Sequence, residues 1–391
     1  MSRELINLSP DLKRLEDEGY NLDVRGAFAL VHGVPYVNED REIKYGTLIS
    51  DLTLAGDRTT TPSSHVIFFA GEYPCNKHGQ RLSFLEHTSH TEVVFENVIR
   101  NHSFSNKPPQ GYKDYYEKFT QYINHLFTPV SALDKSVKVR NYENPIPSNH
   151  VSVFQYMDTN SARSHITPIA EKLANQRIAI VGLGGTGSYV LDFVSKTPVS
   201  EIHLFDGDAY LQHNAFRSPS APSLNTLGSQ YKKVDYFHMV YSNMHKGIIP
   251  HDYMLTEDNA EELLVADFVF IAIDHGESKK RLVDVLIRAG KPFVDCGIGV
   301  QIVNDSLIGH VRTTTCTYDK SDHVYERIPF NQGGNDAYST NIQIAELNSL
   351  NASFAVIKWK KLLGFYQDLT KEMDATYELN TGGLAKRDFL D

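Results

Sequence analysis

Residues 177–188 read RIAIVGLGGTGS, and this stretch decides the fold of the chain's second half. Arg177 to Val181 is a short β-branched run that suits a buried strand. It passes into Gly182-Leu-Gly184-Gly185-Thr-Gly187, after which a helix can begin at Ser188. Glycine is needed in such a loop because a side chain would block the backbone from a phosphate held at the positive helix end. Alone the pattern is weak evidence. It occurs equally in NAD- and FAD-binding domains, and an acid after the second strand, here Asp206, suits the ribose in any of them.

Working outward, RIAIVGLGG, TGSYVLDFVSKTP and EIHLFDGD follow one another as strand, glycine turn, helix and strand, the opening of a parallel doubly wound sheet. The deciding residues lie downstream, in LFDGDAYLQHNAFRSP and SQYKKVDYFHMVYSNMH. Hydride transfer develops no phosphate charge that would call for Asn214, Arg217 and Lys233 after the ribose acid. Nucleotidyl transfer does: as a carboxylate attacks the α-phosphorus of ATP, charge builds on the equatorial oxygens and the departing pyrophosphate. A further strand, ADFVFIAID, ends in Asp274, placed at the carboxyl edge of the sheet to bind Mg²⁺ or orient the triphosphate.

Together VGLGGTGS, Asp206-Gly-Asp208, Asn214-x-x-Arg217, Lys233-Val234, AID ending at Asp274, and KPFVDCGIGV resemble the ThiF family, which includes the ubiquitin-activating enzymes. The resemblance implies a Rossmann-like α/β adenylation domain using ATP and Mg²⁺. It assigns the ribose to Asp206, phosphate contacts to Asn214, Arg217 and Lys233, metal-linked work to Asp274, and the nucleotide cradle to Gly182, Gly184, Gly185, Gly187 and Asp208. It implies activation of the C-terminal carboxylate of a ubiquitin-like protein or another flexible-tailed partner, a conjugating partner downstream, and a homodimer in which Arg163 reaches a neighbour's ATP. An ordinary surface arginine is the alternative for Arg163. An ATP-binding scaffold without catalysis and a nicotinamide or flavin redox enzyme stand as alternatives for the whole domain.

The chain departs from the family in two places. It has no CxxC pair, so no structural zinc is expected, and Ser218 stands after Arg217 where the family commonly has Gln. Cys316 in HVRTTTCTYDKSD is the candidate for a thioester-forming cysteine, with Arg312, Lys320 and His323 near it in sequence. The alternating TTTCTY reads as an ordinary strand with a buried cysteine, the favoured account of Cys316, and Cys296 falls in the interior-type run FVDCGIG. Residues 341–363 form a helix candidate in which Ala345, Ala352 and Ala355 permit close approach; it follows FNQGGNDAYST, a candidate lid.

The first part of the chain reads as a smaller mixed α+β domain over residues 1–140, joined by a Pro- and Asn-rich connector over 141–160 (NYENPIPSNH) to the ThiF-type domain at 161–391. Three β-type runs between residues 22 and 70 precede an aromatic helical stripe from Tyr112 to Phe127. Cys75-x-x-His78 with His87-x-x-His90 has zinc-like spacing, Cys75 is alternatively an acceptor thiol, and a structural cysteine near a turn is the plainer account of it. The domain resembles a module found ahead of bacterial ThiF domains, which implies recruitment of the substrate protein. At 391 residues with a net charge of −10, the chain lacks the basic field that nucleic acid requires. The absence of a long apolar run or a basic-then-apolar leader, with only three cysteines, gives a cytoplasmic expectation with no membrane partner.

Overall fold

The computed structural model describes residues 2–95, 98–140, 152–274, 276–330 and 342–390. The connector sequence 141–150 and residues 331–341, which hold most of the lid candidate, lie outside the described residues. The chain divides into two compact units: Met1–Ser152 with Tyr156–Ile169, and Val153–Gln155 with Ala170–Asp391.

In the first unit, strands β1 (Asn21–Arg25), β2 (Phe28–Val37), β3 (Ile43–Asp51), β6 (Val66–Ala70), β7 (Glu86–Phe95) and β8 (Val98–Ser105) form an antiparallel sheet in the order β1-β2-β3-β6-β8-β7. A two-stranded ribbon, β4 (Leu54–Ala55) with β5 (Arg58–Thr59), stands apart. One sheet face packs against helices α1 (Ser2–Leu8), α2 (Pro10–Asp17) and α3 (Tyr115–Leu133). The aromatic stripe is the buried face of α3: Tyr115, Phe119, Tyr122, Ile123 and Leu126 all sit in this core. Its phenols are satisfied, Tyr115 accepting from the Thr53 N–H at 2.7 Å and Tyr122 donating to the His65 carbonyl at 2.6 Å, as buried hydroxyls require. A second, smaller core forms on the other face around Phe28, Leu30, Ile49 and Phe68, where Ala162 of α4 (Thr159–Arg163) packs.

The second unit is built on an eight-stranded sheet of β9 (Arg177–Val181), β10 (Glu201–Phe205), β11 (Ile248–His251), β12 (Phe268–Ile271), β13 (Phe293–Val303), β14 (Ser306–Cys316), β15 (Glu372–Glu378) and β16 (Leu384–Phe389). Its order is β11-β10-β9-β12-β13-β14-β15-β16, parallel through β13 and antiparallel beyond it. The two-residue alternation explains why both faces are covered. Ile178 and Ile180 of β9, with Phe268 and Phe270 of β12, face a core formed with α6 (Gly185–Val194), α9 (Lys233–Tyr241) and α12 (Ala345–Leu362). Ala179, Val181, Val269 and Ile271 face the opposite core, formed with α10 (Gly276–Arg288).

The antiparallel extension goes beyond the sequence expectation. β13 continues for 11 residues and returns through Asn304 and Asp305, both with positive φ (49° and 60°), the turn chemistry of a tight hairpin. Ala352 and Ala355 of α12 are fully buried beside α6, while Ala345 stays partly exposed. Among the described residues no helix is long and apolar enough to cross a membrane.

Candidate active site

A cleft of about 460 Å³ opens at the carboxyl ends of the parallel strands. The loops after β9, β10 and β12 supply its walls, which is where strand order reverses and doubly wound sheets bind ligands. The helix after the loop, α6, starts at Gly185 with Gly184 as its N-cap, three residues before the expected Ser188. Gly182 has φ +87°, and a Cβ on it would lie 2.6 Å from the Ala272 carbonyl oxygen. A Cβ on Gly187 would lie 1.8 Å from the Gly182 carbonyl oxygen, so these two glycines close the loop against the sheet and helix. Gly184 differs: a Cβ there meets nothing within 4 Å, and the residue lines the cleft.

Asp206, at the end of β10, is buried and lines the cleft. Its Oδ2 accepts from the Leu183 N–H at 2.7 Å and its Oδ1 from the Asp208 N–H at 2.9 Å, tying the glycine loop to the second strand. Lys233 is also buried, and its Nζ lies 3.3 Å from both Asp206 oxygens and 2.7 Å from Asp208 Oδ2. The position is set by backbone pairing, because the Lys233 N–H donates to the Asp208 carbonyl at 2.9 Å at the start of α9. Lys232 is exposed and turns its ammonium to the Gly207 carbonyl, so Lys233 is the lysine of the cleft.

Arg217 lines the same cleft. Its Nε is buried without a hydrogen-bond partner, and its guanidinium forms no ion pair among the described residues. A guanidinium without an ionic partner in a cleft lining is a ready partner for an oxyanion. Asp274 lies exposed on the cleft wall past β12, with Gln343 Nε2 donating to its Oδ2 at 3.3 Å. No group of three His, Cys, Asp or Glu side chains able to hold a metal occurs among the described residues. Mg²⁺ brought in with a nucleotide needs only one or two carboxylates besides phosphate oxygens and water, and Asp274 fits that role.

Asn214 is buried but does not line the cleft. Its Oδ1 accepts from the Leu211 N–H at 2.8 Å, capping the turn that carries Arg217, and its Nδ2 is buried without a partner. Ser218 bonds the Tyr210 hydroxyl at 3.1 Å and the Asn214 carbonyl at 2.8 Å, facing the interior rather than the cleft.

All three cysteines are buried. Cys316 is buried at the end of β14, away from the cleft lining, and burial pushes its thiol up to about 12. Burial of this kind disfavours the thiolate, the nucleophilic form of a cysteine. Cys296 touches the cleft, but burial, reinforced by the adjacent Asp295 carboxylate, pushes it to about 12 as well. Cys75 in the first unit is fully buried, its thiol also raised by burial, and His78 beside it is exposed. Arg163 lies in the first unit, exposed at the end of α4.

Sequence reasoning missed Asn348 and Asn351, one helical turn apart on α12 and both fully buried. Asn348 Nδ2 donates to the Arg217 carbonyl at 3.1 Å, and its Oδ1 accepts from the Thr186 hydroxyl at 3.2 Å. Asn351 Nδ2 donates to the Gly297 carbonyl at 3.1 Å. The signal was present as two amides on an otherwise apolar helical face, since buried amides demand partners.

The profile of the ThiF family matches residues 148–358, and that of a domain of unknown function, DUF6791, matches residues 10–159. Among solved structures, selenomethionine PaaA is 14% identical over 69% of this chain and 83% of its own, with a TM-score of 0.48. The Microcin C7 biosynthetic enzyme MccB in complex with N-formylated MccA is 17% identical over 57% of this chain and 68% of its own, with a TM-score of 0.46. E. coli MccB with ATP is 16% identical over 59% and 71%, with a TM-score of 0.44. No curated protein matches the chain.

Proposed function

The chain belongs to the ThiF family, and from that membership we propose that its second unit binds Mg·ATP and adenylates the C-terminal carboxylate of a partner protein, a ubiquitin-like protein or another with a flexible tail. Family membership supports ATP-dependent adenylation of a carboxylate; the identity of the tail is the finer part of the proposal. In the reaction a carboxylate oxygen bonds to the α-phosphorus, the bond to the bridging oxygen breaks, and pyrophosphate leaves with the electron pair. A carboxylate is already ionised at neutral pH, so no general base is needed and the work is positioning and charge stabilisation.

The observation that carries the proposal is the Arg217 guanidinium, unmatched and lining the cleft beside the open Gly184. It supplies a fixed cation where phosphate oxygens gain charge. Asp206 receives the ribose, with a consequence for Lys233. A carboxylate offers about four lone-pair positions, and Asp206 already spends them on the Leu183 and Asp208 N–H groups and on two contacts from Lys233. The Lys233 contacts are the longer ones, so a ribose hydroxyl displaces them and leaves the ammonium in the cleft lining, held by Asp208 at 2.7 Å. Mg²⁺ on Asp274 would neutralise phosphate charge when bound.

With Cys296 and Cys316 both buried, the acyl-adenylate passes to a nucleophile outside these thiols. ATP–pyrophosphate exchange in the presence of a carboxylate-tailed partner tests the proposal. Exchange that appears with the partner and vanishes in Arg217→Ala is expected; ATP binding without exchange for any partner would leave a scaffold instead.

A further inference from the structure

The first unit holds a second polar cleft, of about 440 Å³, on the sheet face opposite α3. We propose that it is a binding site for a small phosphate-bearing molecule, independent of the adenylation cleft. Its floor is apolar, formed by Val66 and Phe68, and its rim is crowded with donors. Arg100 is its anchor. The guanidinium lies over the Phe68 ring, 4.2 Å from the centroid, and one amino group pairs with Glu92 at 2.7 Å. Its Nε is buried and has no hydrogen-bond partner, and only 11% of the side chain is exposed. A buried N–H left without a partner is costly, and Arg100 itself lines the cleft, where an acceptor oxygen can meet its guanidinium.

Arg163, from α4, brings a second guanidinium to the rim and forms no ion pair among the described residues. Three imidazoles, His87, His90 and His165, face the same space. His87 pairs through Nδ1 with the Ser103 hydroxyl at 3.0 Å, which leaves its Nε2 for a ligand, while His90 spends its Nε2 on Glu92 at 2.6 Å. His165 packs edge-on to Phe68, with ring centroids 5.2 Å apart. The Ser63, Ser64 and Thr88 hydroxyls complete the rim.

Asp51 is the one carboxylate among the described lining residues. It sits near the fully buried Lys118, whose ammonium donates to Ser50 at 2.8 Å and is attracted to Asp51, so its charge is offset from behind. The donor set decides between oxyanions. A carboxylate presents two oxygens in a plane, whereas a phosphate monoester presents three around a tetrahedron and is matched by guanidinium forks from two directions. The cleft has two guanidiniums on different elements, and its volume leaves room for a small group attached to the phosphate.

The test is calorimetric titration of the full chain with inorganic phosphate in an Arg217→Ala background, which removes the unmatched cation of the adenylation cleft. One phosphate per chain is expected, weakened at least tenfold by Arg163→Gln, with acetate at equal ionic strength failing to compete. Arg163 is exposed, so this variant should keep the thermal midpoint of its parent and report binding alone. No phosphate binding in the Arg217→Ala chain, binding unchanged by Arg163→Gln, or acetate binding as tightly as phosphate would each overturn the proposal.

Discussion

At the residue scale, Arg217 and Lys233 look alike in the sequence and differ in the fold. Both are cations that the family resemblance places at the phosphates, but Lys233 is tied to two aspartates while Arg217 has no ionic partner among the described residues. Removing them should therefore separate activity from stability. Arg217→Ala is expected to lower exchange by about 10²–10³-fold, the usual loss for one charge-stabilising donor, while shifting folding stability by no more than about 0.5 kcal/mol. Lys233→Ala is expected to lose exchange and also about 3–5 kcal/mol of stability, because it leaves the buried Asp206 carboxylate uncompensated. Chemical denaturation of both variants beside the exchange assay checks this. The type and order of these residues were legible in the sequence. Their pairing was not, because it depends on a strand end and a helix start 27 residues apart meeting in space.

At the scale of elements, the glycine loop makes a contrasting pair. Gly187→Ala drives a Cβ into the Gly182 carbonyl and should cost stability or loop geometry. Gly184→Ala meets no protein atom, so the protein should fold with an unchanged melting temperature and yet bind ATP more weakly. Fluorescent-nucleotide titration beside thermal melts reads both. Equal effects of the two changes would deny the cleft its ligand.

The other junction between elements is ionic. Asp295 on β13 is fully buried between Lys279 of α10, whose ammonium lies 2.8 Å away, and Arg312 of β14, bonded at 2.6 Å. Burial alone would push this carboxyl up; Lys279 and Arg312 outweigh it and hold the carboxyl below its ordinary value. A depressed carboxyl contributes stability that is complete above the unfolded value of about 3.9 and is lost as pH falls through the native one. Asp295→Asn should therefore lower stability at pH 7 and flatten its dependence on pH below about 4, as acid-unfolding curves would show. The network was hidden in the sequence because its members come from three elements.

At the scale of the whole molecule, the parallel half of the second sheet and the α3 stripe were legible because periodicity alone specifies them. The antiparallel extension and the asparagines of α12 were not, since both are defined by partners distant in sequence. Asn348 lies 131 residues from the carbonyl it holds. The cysteines show the same limit: alternation in TTTCTY fitted either reading of Cys316, and only packing settled its burial. All three thiols are buried, so a thiol reagent should modify none of them in the native chain and all three after unfolding, and Cys316→Ser should retain exchange.

The central claim is that the second unit's cleft carries nucleotidyl transfer to a carboxylate through Arg217. Labelled pyrophosphate incorporation into ATP, measured with and without a carboxylate-tailed partner protein, tests it most directly. The account predicts incorporation that requires both the partner and its free terminal carboxylate, and that falls to background in Arg217→Ala. Incorporation undiminished in that variant, or surviving amidation of the partner's terminal carboxyl, would contradict it.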